Sequence, residues 1–112
     1  MTLMNDTKWN ELRLGMHSLG DKRPRWRTRD IDTGYVSGWD ADWYYHFRIG
    51  EYRTIEWLDI AIRSPEQRNA VLEVLVRVHV PGEQTDDGFR VFGYAPAGSA
   101  VTYIVDAAPA RP

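Results

Sequence analysis

Residues 54–80 read TIEWLDIAIRSPEQRNAVLEVLVRVHV, and the change of period inside this stretch decides the fold. Its first part is rich in β-branched and aromatic residues and alternates. Leu58, Ile60 and Ile62 line one side of an extended backbone, with Ile55, Trp57 and Ala61 on the other. Both sides are largely apolar, so this strand is expected to be central and covered. Ser64-Pro65-Glu66-Gln67 then switches the backbone to a helix. Ser64 is a capping residue, Pro65 takes the first helical position where no N–H is needed, and Gln67 completes a capping box. The spacing predicts a helix to about Arg77 that buries Val71, Leu72, Leu75 and Val76, with Val78 at its margin, and Pro81-Gly82 as its stop.

Upstream, residues 35–57 read YVSGWDADWYYHFRIGEYRTIEW and hold three of the five tryptophans and four of the six tyrosines. From 42 to 48 the alternation predicts a strand, with Trp43, Tyr45 and Phe47 facing one way and Tyr44, His46 and Arg48 the other. Gly50-Glu51 is its turn, residues 35–37 a short strand, and Asp32-Thr33-Gly34 another turn, since Asp bonds its own backbone and Gly supplies positive φ. In residues 22–31, KRPRWRTRDI, Arg23, Arg25, Arg27 and Arg29 fall on one side of an extended chain and Trp26 on the other. Successive guanidiniums stand roughly 6.6 Å apart, twice the rise per residue. Residues 7–19 form the first helix, its buried stripe Trp9, Leu12, Met16 and Leu19, with Asp6 or Thr7 as cap and Gly20 as stop.

Downstream, residues 83–88 read as a polar loop. Residues 89–95 and 101–105 read as a closing hairpin around Pro96-Ala97-Gly98-Ser99. The order predicts an α+β fold, an antiparallel sheet of about five strands with two helices packed on one face. The passage from 54 to 95 has room for one parallel crossover. The whole chain, 1–112, is expected to be a single domain, with 1–5 and 106–112 as flexible tails.

Composition narrows the function classes. Five tryptophans in 112 residues let a small domain build its core without staples, and the absence of cysteine removes disulfides and thiolate metal sites. A formal net charge of −2 argues against a general nucleic-acid coat. No apolar run approaches the roughly 20 residues a bilayer demands, and residues 1–6 lack the apolar core of a secretory signal. A cytoplasmic protein with no membrane contact is expected.

The set Lys8-Trp9-Asn10-Glu11-Leu12, Trp26-Arg27-Thr28, Gly34-Tyr35, Ser37, Trp39-Asp40, Trp43, Tyr45-His46-Phe47-Arg48, Thr54-Ile55-Glu56-Trp57 and Ser64-Pro65-Glu66-Gln67-Arg68 resembles a family of small bacterial proteins of unknown function. His79-Val80-Pro81-Gly82 and Gly88-Phe89-Arg90-Val91 continue the likeness, which spans about residues 7–104. The resemblance implies a compact bacterial domain and assigns no catalytic residue. In style, a small, acidic, tryptophan-rich α+β chain also looks like the immunity proteins that neutralise bacterial toxins.

Two groups of side chains are candidates for partner binding. Arg25, Arg27 and Arg29 offer planar donors suited to carboxylates or phosphates. The plainer reading, which weighs more for this row, is a solvated edge strand or internal pairing with Asp30, Asp32 or Glu51. Tyr44, His46 and Arg48, joined by Tyr52 and Arg53 across the turn, combine aromatic area with polar tips, unless a helix covers them and His46 is a core histidine. His46 with Glu56 or Asp59 is a conceivable base and orienter, but no serine elbow or glycine-rich oxyanion turn accompanies them. Asp40, Asp42 and His46 lack a diagnostic metal spacing. No catalytic residue, metal or cofactor is therefore expected. The reading is a small cytoplasmic protein-binding domain, an immunity protein that neutralises a cognate toxin by direct binding, as monomer or homodimer. Acidic groups at Asp40, Asp42, Glu51, Asp86 and Asp87 would suit a basic toxin cleft. The alternative is a nucleic-acid or small-ligand module using the Arg23 to Arg29 stripe, nucleic acid being disfavoured by net charge; an uncharacterised enzyme ranks last.

Overall fold

Leu58 and Ile60 do point together into the core, from a strand β2 (Ile55–Ala61) that has a neighbour on each side. The computed structural model describes residues 2–48, 51–98 and 100–105. In chain order the elements are α1 (Asp6–His17), β1 (Arg25–Asp30), β2, α2 (Pro65–Val78), β3 (Gly82–Gln84) and β4 (Gly88–Phe92). The sheet is open, antiparallel and four-stranded, in the order β1-β2-β4-β3. Because β2 and β3 are both antiparallel to β4, they run the same way, and α2 is the crossover between them.

The register sorts the sheet into two faces. Trp26, Ile60 and Phe89 lie side by side, as do Thr28, Leu58 and Val91, and this face carries the buried residues. It shares one core with Trp9, Leu12 and Met16 of α1 and with Val71, Val74, Leu75 and Val78 of α2. The helices themselves meet where Gly15 lies against Val74; a Cβ there would stand 2.6 Å from its Cγ1. Both helices therefore cover one face, as expected. On the other face Arg27, Asp59 and Arg90 are in register, flanked by Arg29, Trp57 and Phe92. Trp57 thus belongs to the outer face, and β2 is covered on one side only.

The sheet has four strands where about five were expected, and the strand expected at residues 35–37 is reduced to isolated bridges. Arg29 bridges Val36 and Trp26 bridges Asp40. Between those points β1 advances from 29 to 26 while the loop advances from 36 to 40, so one extra residue breaks the ladder. Ser37 N–H still donates to Thr28 O at 2.9 Å, and the loop covers the β1 edge. At the opposite edge, Gly82 N–H donates to Thr102 O and Ile104 N–H to Val80 O. Residues 102–104 therefore border 80–82 instead of forming a hairpin with β4, whose partner is β3. Close approach fits glycine here: a Cβ on Gly82 would lie 2.2 Å from Arg90 O.

Residues 42–48 are not a strand. The Asp42 carboxylate accepts the N–H groups of Tyr44 at 2.8 Å and Tyr45 at 3.1 Å, starting a turn that leads into a 3-10 segment at His46–Arg48. Trp43 and Phe47, four apart, both point into the core, and Tyr45 is exposed. Smaller corrections follow the same logic of local hydrogen bonding. Asn5 caps α1, its Oδ1 accepting Lys8 N–H. Ser64 caps α2 as expected, but α2 ends at left-handed His79 (φ 65°), and Val74 is buried where Val76 was expected. Leu3 N–H donates to Gly93 O and Met4 is buried, so residues 2–5 lie against the sheet and α1. Gly50, Ser99 and 106–112 fall outside the described residues.

Candidate functional site

Alternation in β1 sends Arg25, Arg27 and Arg29 away from Trp26 and onto the outer face. Arg23 leaves the row: its guanidinium reaches Gly20 O at 3.1 Å and His17 Nδ1 at 3.1 Å. Asp59, only 8% exposed, lies between two strands' arginines. Arg90 donates to it twice, Nε to Oδ1 at 2.7 Å and Nη2 to Oδ2 at 3.0 Å. Arg27 approaches from β1 through Nε and Nη2, both 3.4 Å from Oδ2. Two indoles flank this carboxylate: the Arg90 guanidinium sits 3.9 Å from the Trp57 ring, and Arg27 sits 4.6 Å from that of Trp39. Arg25 shares Trp39 at 5.9 Å. Arg29 pairs with Glu56 at 2.9 Å.

The hydrogen bond to Asp59 raises the Arg90 pKa above its ordinary value, partly opposed by burial. The half-exposed Arg29–Glu56 pair is worth about 1 kcal/mol or less, and each guanidinium–indole contact adds about as much. Their larger effect is to hold long side chains flat and extended in the free protein.

The second predicted group does not assemble into one patch. His46 is exposed, its Nδ1 2.8 Å from Asp40 Oδ2 and its Nε2 3.7 Å from Asp42 Oδ2. Tyr44 turns instead to α1, its ring 5.0 Å from His17 and 5.2 Å from the Arg13 guanidinium. Tyr52 packs on Trp9 and Phe47 and donates to Asn10 Oδ1 at 2.7 Å. Arg53 is exposed and paired with Glu51. Arg48 ends the 3-10 segment, and its side chain is outside what is described. His46 thus has Asp40 as partner in place of Glu56 or Asp59, which serve arginines. Among the described residues no group of three or more His, Asp or Glu is placed to hold a metal ion, and no helix is long and apolar enough to cross a membrane.

In the sequence Asp59 stands out only as an orienter for His46, and Trp39, Trp57 and Arg90 do not stand out as site residues. One signal was present: a carboxylate inside an apolar strand demands cationic partners from neighbouring strands.

Fold and face together define a small α+β domain with one packed and one open sheet face. The chain belongs to the DUF6678 family, described as a family of unknown function, whose model matches residues 1–98. No curated protein and no solved structure matches it.

Proposed function

We propose that this chain is a protein-binding domain that docks through the outer face of its sheet and performs no chemistry. Its partner in this reading is a bacterial toxin, which it neutralises in the cytoplasm as an immunity protein does. The supporting observation is the stacking of Arg27 on Trp39 and Arg90 on Trp57 around one shared carboxylate, on the face opposite both helices. Arginine and tryptophan are enriched among the few residues that dominate interface energies. Holding them in place beforehand reduces the ordering cost of association. The enzymatic reading has less support: Ser37 lines the same surface groove as His46, but its hydroxyl is committed, accepting from Thr28 N–H and donating to Gly38 O.

Co-expression with the product of the adjacent reading frame tests the proposal. That product should be toxic alone and harmless in a stable complex with this chain, and Arg27→Glu should abolish protection with an unchanged circular dichroism spectrum. Toxicity that persists beside the intact chain, or an adjacent product with no toxicity, overturns the assignment.

A further inference from the structure

We infer that the partner surface seated on this face presents carboxylates, received between Arg25 and Arg27 above Trp39. This rests on the docking reading and adds the chemistry of the partner. Charge on the face is unevenly satisfied. Arg90 holds Asp59 by two short bonds and Arg29 holds Glu56, whereas Arg27 has only two 3.4 Å contacts to an oxygen that Arg90 already uses. Among the described residues Arg25 has no carboxylate within ion-pair distance, and its guanidinium lies over the Trp39 ring. The unmatched cationic capacity is therefore concentrated on β1, beside a 39% exposed indole.

An incoming carboxylate would take bidentate donation from a guanidinium, while the methylenes of the acidic side chain pack on the neighbouring ring. A phosphodiester chain fits this face less well, because Asp59, Glu56 and Glu83 interrupt the arginines and the chain carries a formal net charge of −2. Discrete acidic side chains on a folded protein match an interrupted row.

The test follows the indole N–H resonances of Trp39 and Trp57 in the full chain at low salt, using a short oligoglutamate peptide, oligolysine and a single-stranded thymidine oligonucleotide as probes. Oligoglutamate should shift Trp39, the response should fade as salt rises, and Arg25→Glu should weaken it about tenfold or more. Thermal unfolding of the variant checks that its fold is intact. No shift with oligoglutamate, an equal response to the oligonucleotide, or an undiminished response in a folded Arg25→Glu, Arg27→Glu double variant overturns the inference. A native partner that binds the wild type and Arg25→Glu equally well also overturns it, while leaving protein docking in place. A specific oligoglutamate response with no toxin neutralised supports the acidic contact and removes the toxin assignment alone.

Discussion

A carboxylate inside a strand is costly unless opposite charge reaches it, and Asp59 is reached by Arg27 from one neighbouring strand and Arg90 from the other. Asp59→Ala leaves these two guanidiniums facing each other without a mediator. Water reaches both, which limits the penalty, so the expected loss is about 1–3 kcal/mol, read as a lower urea midpoint at unchanged slope. The outer face should also lose order, with weaker chemical-shift dispersion at Trp39 and Trp57. Asp42 makes a different kind of contribution. The Tyr45 N–H foremost, joined by the Tyr44 N–H and the charges of His46 and His17, holds its pKa below the ordinary 3.8, although desolvation, second in size to Tyr45 alone, opposes them. A depressed carboxylate stabilises the fold above its unfolded value, and that stabilisation disappears as pH falls through the folded value. The turn at 42–48 should therefore loosen only at pH below 3.8. Amide shifts of Tyr44 and Tyr45 followed against pH will show the step, and Asp42→Ala should erase it. A midpoint at or above 3.8 contradicts this account.

At the scale of elements, α2 is anchored by a side chain whose partners are distant in sequence. The Ser64 hydroxyl accepts Gln67 N–H as a capping residue should. The Gln67 side chain, however, accepts from Arg63 N–H and donates to the carbonyls of Lys22 and Arg23, tying the start of α2 to the approach to β1. Gln67→Leu preserves bulk but orphans the Arg63 N–H and the Lys22 carbonyl, leaving Arg23 O only the Arg63 guanidinium, and should cost about 1–3 kcal/mol in urea unfolding. A loss below half a kilocalorie would mean that water replaces them. Local pattern sufficed for the position of β2, for the Ser64 cap and for the helical stripes apart from the exchange of Val74 for Val76, because each is set by neighbours within a few residues. It failed at 42–48, where Trp43 and Phe47 satisfy a period of two and a spacing of four equally well. Only Tyr45 separates the two readings, and Asp42 as a turn-starting acceptor was the clue that outweighed alternation. Trp57 looked like core because nothing local says whether a second layer covers an apolar strand. Arg90 stayed invisible as a site residue because its role depends on the long-range register that sets it beside Asp59.

For the molecule as a whole, the tryptophans divide into two populations with different jobs. Trp9, Trp26 and Trp43 are buried, and Trp43 is closed off completely with its indole N–H donating to Pro24 O at 2.9 Å. Trp39 and Trp57 carry guanidiniums on the outer face. Since the described arginines of that face slightly outnumber its carboxylates in a chain of net charge −2, the rest of the molecule is net negative. An acidic partner would be drawn to the outer face and repelled elsewhere, which makes its orientation on encounter depend on salt. The division predicts a clean separation in mutants. Trp43→Ala should cost about 3–5 kcal/mol, a large share of the roughly 5–15 kcal/mol that holds a small domain folded. Any binding it loses then reports unfolding. Trp39→Ala removes a ring that is 39% exposed and stacked on two arginines, so its stability should change by about 1 kcal/mol or less. Its partner binding should nevertheless fall about tenfold or more, because the platform under Arg25 and Arg27 is gone. Urea titration and partner titration on the same two variants decide the matter: if Trp39→Ala binds like the wild type, the outer face is a solvated surface and the docking site lies elsewhere.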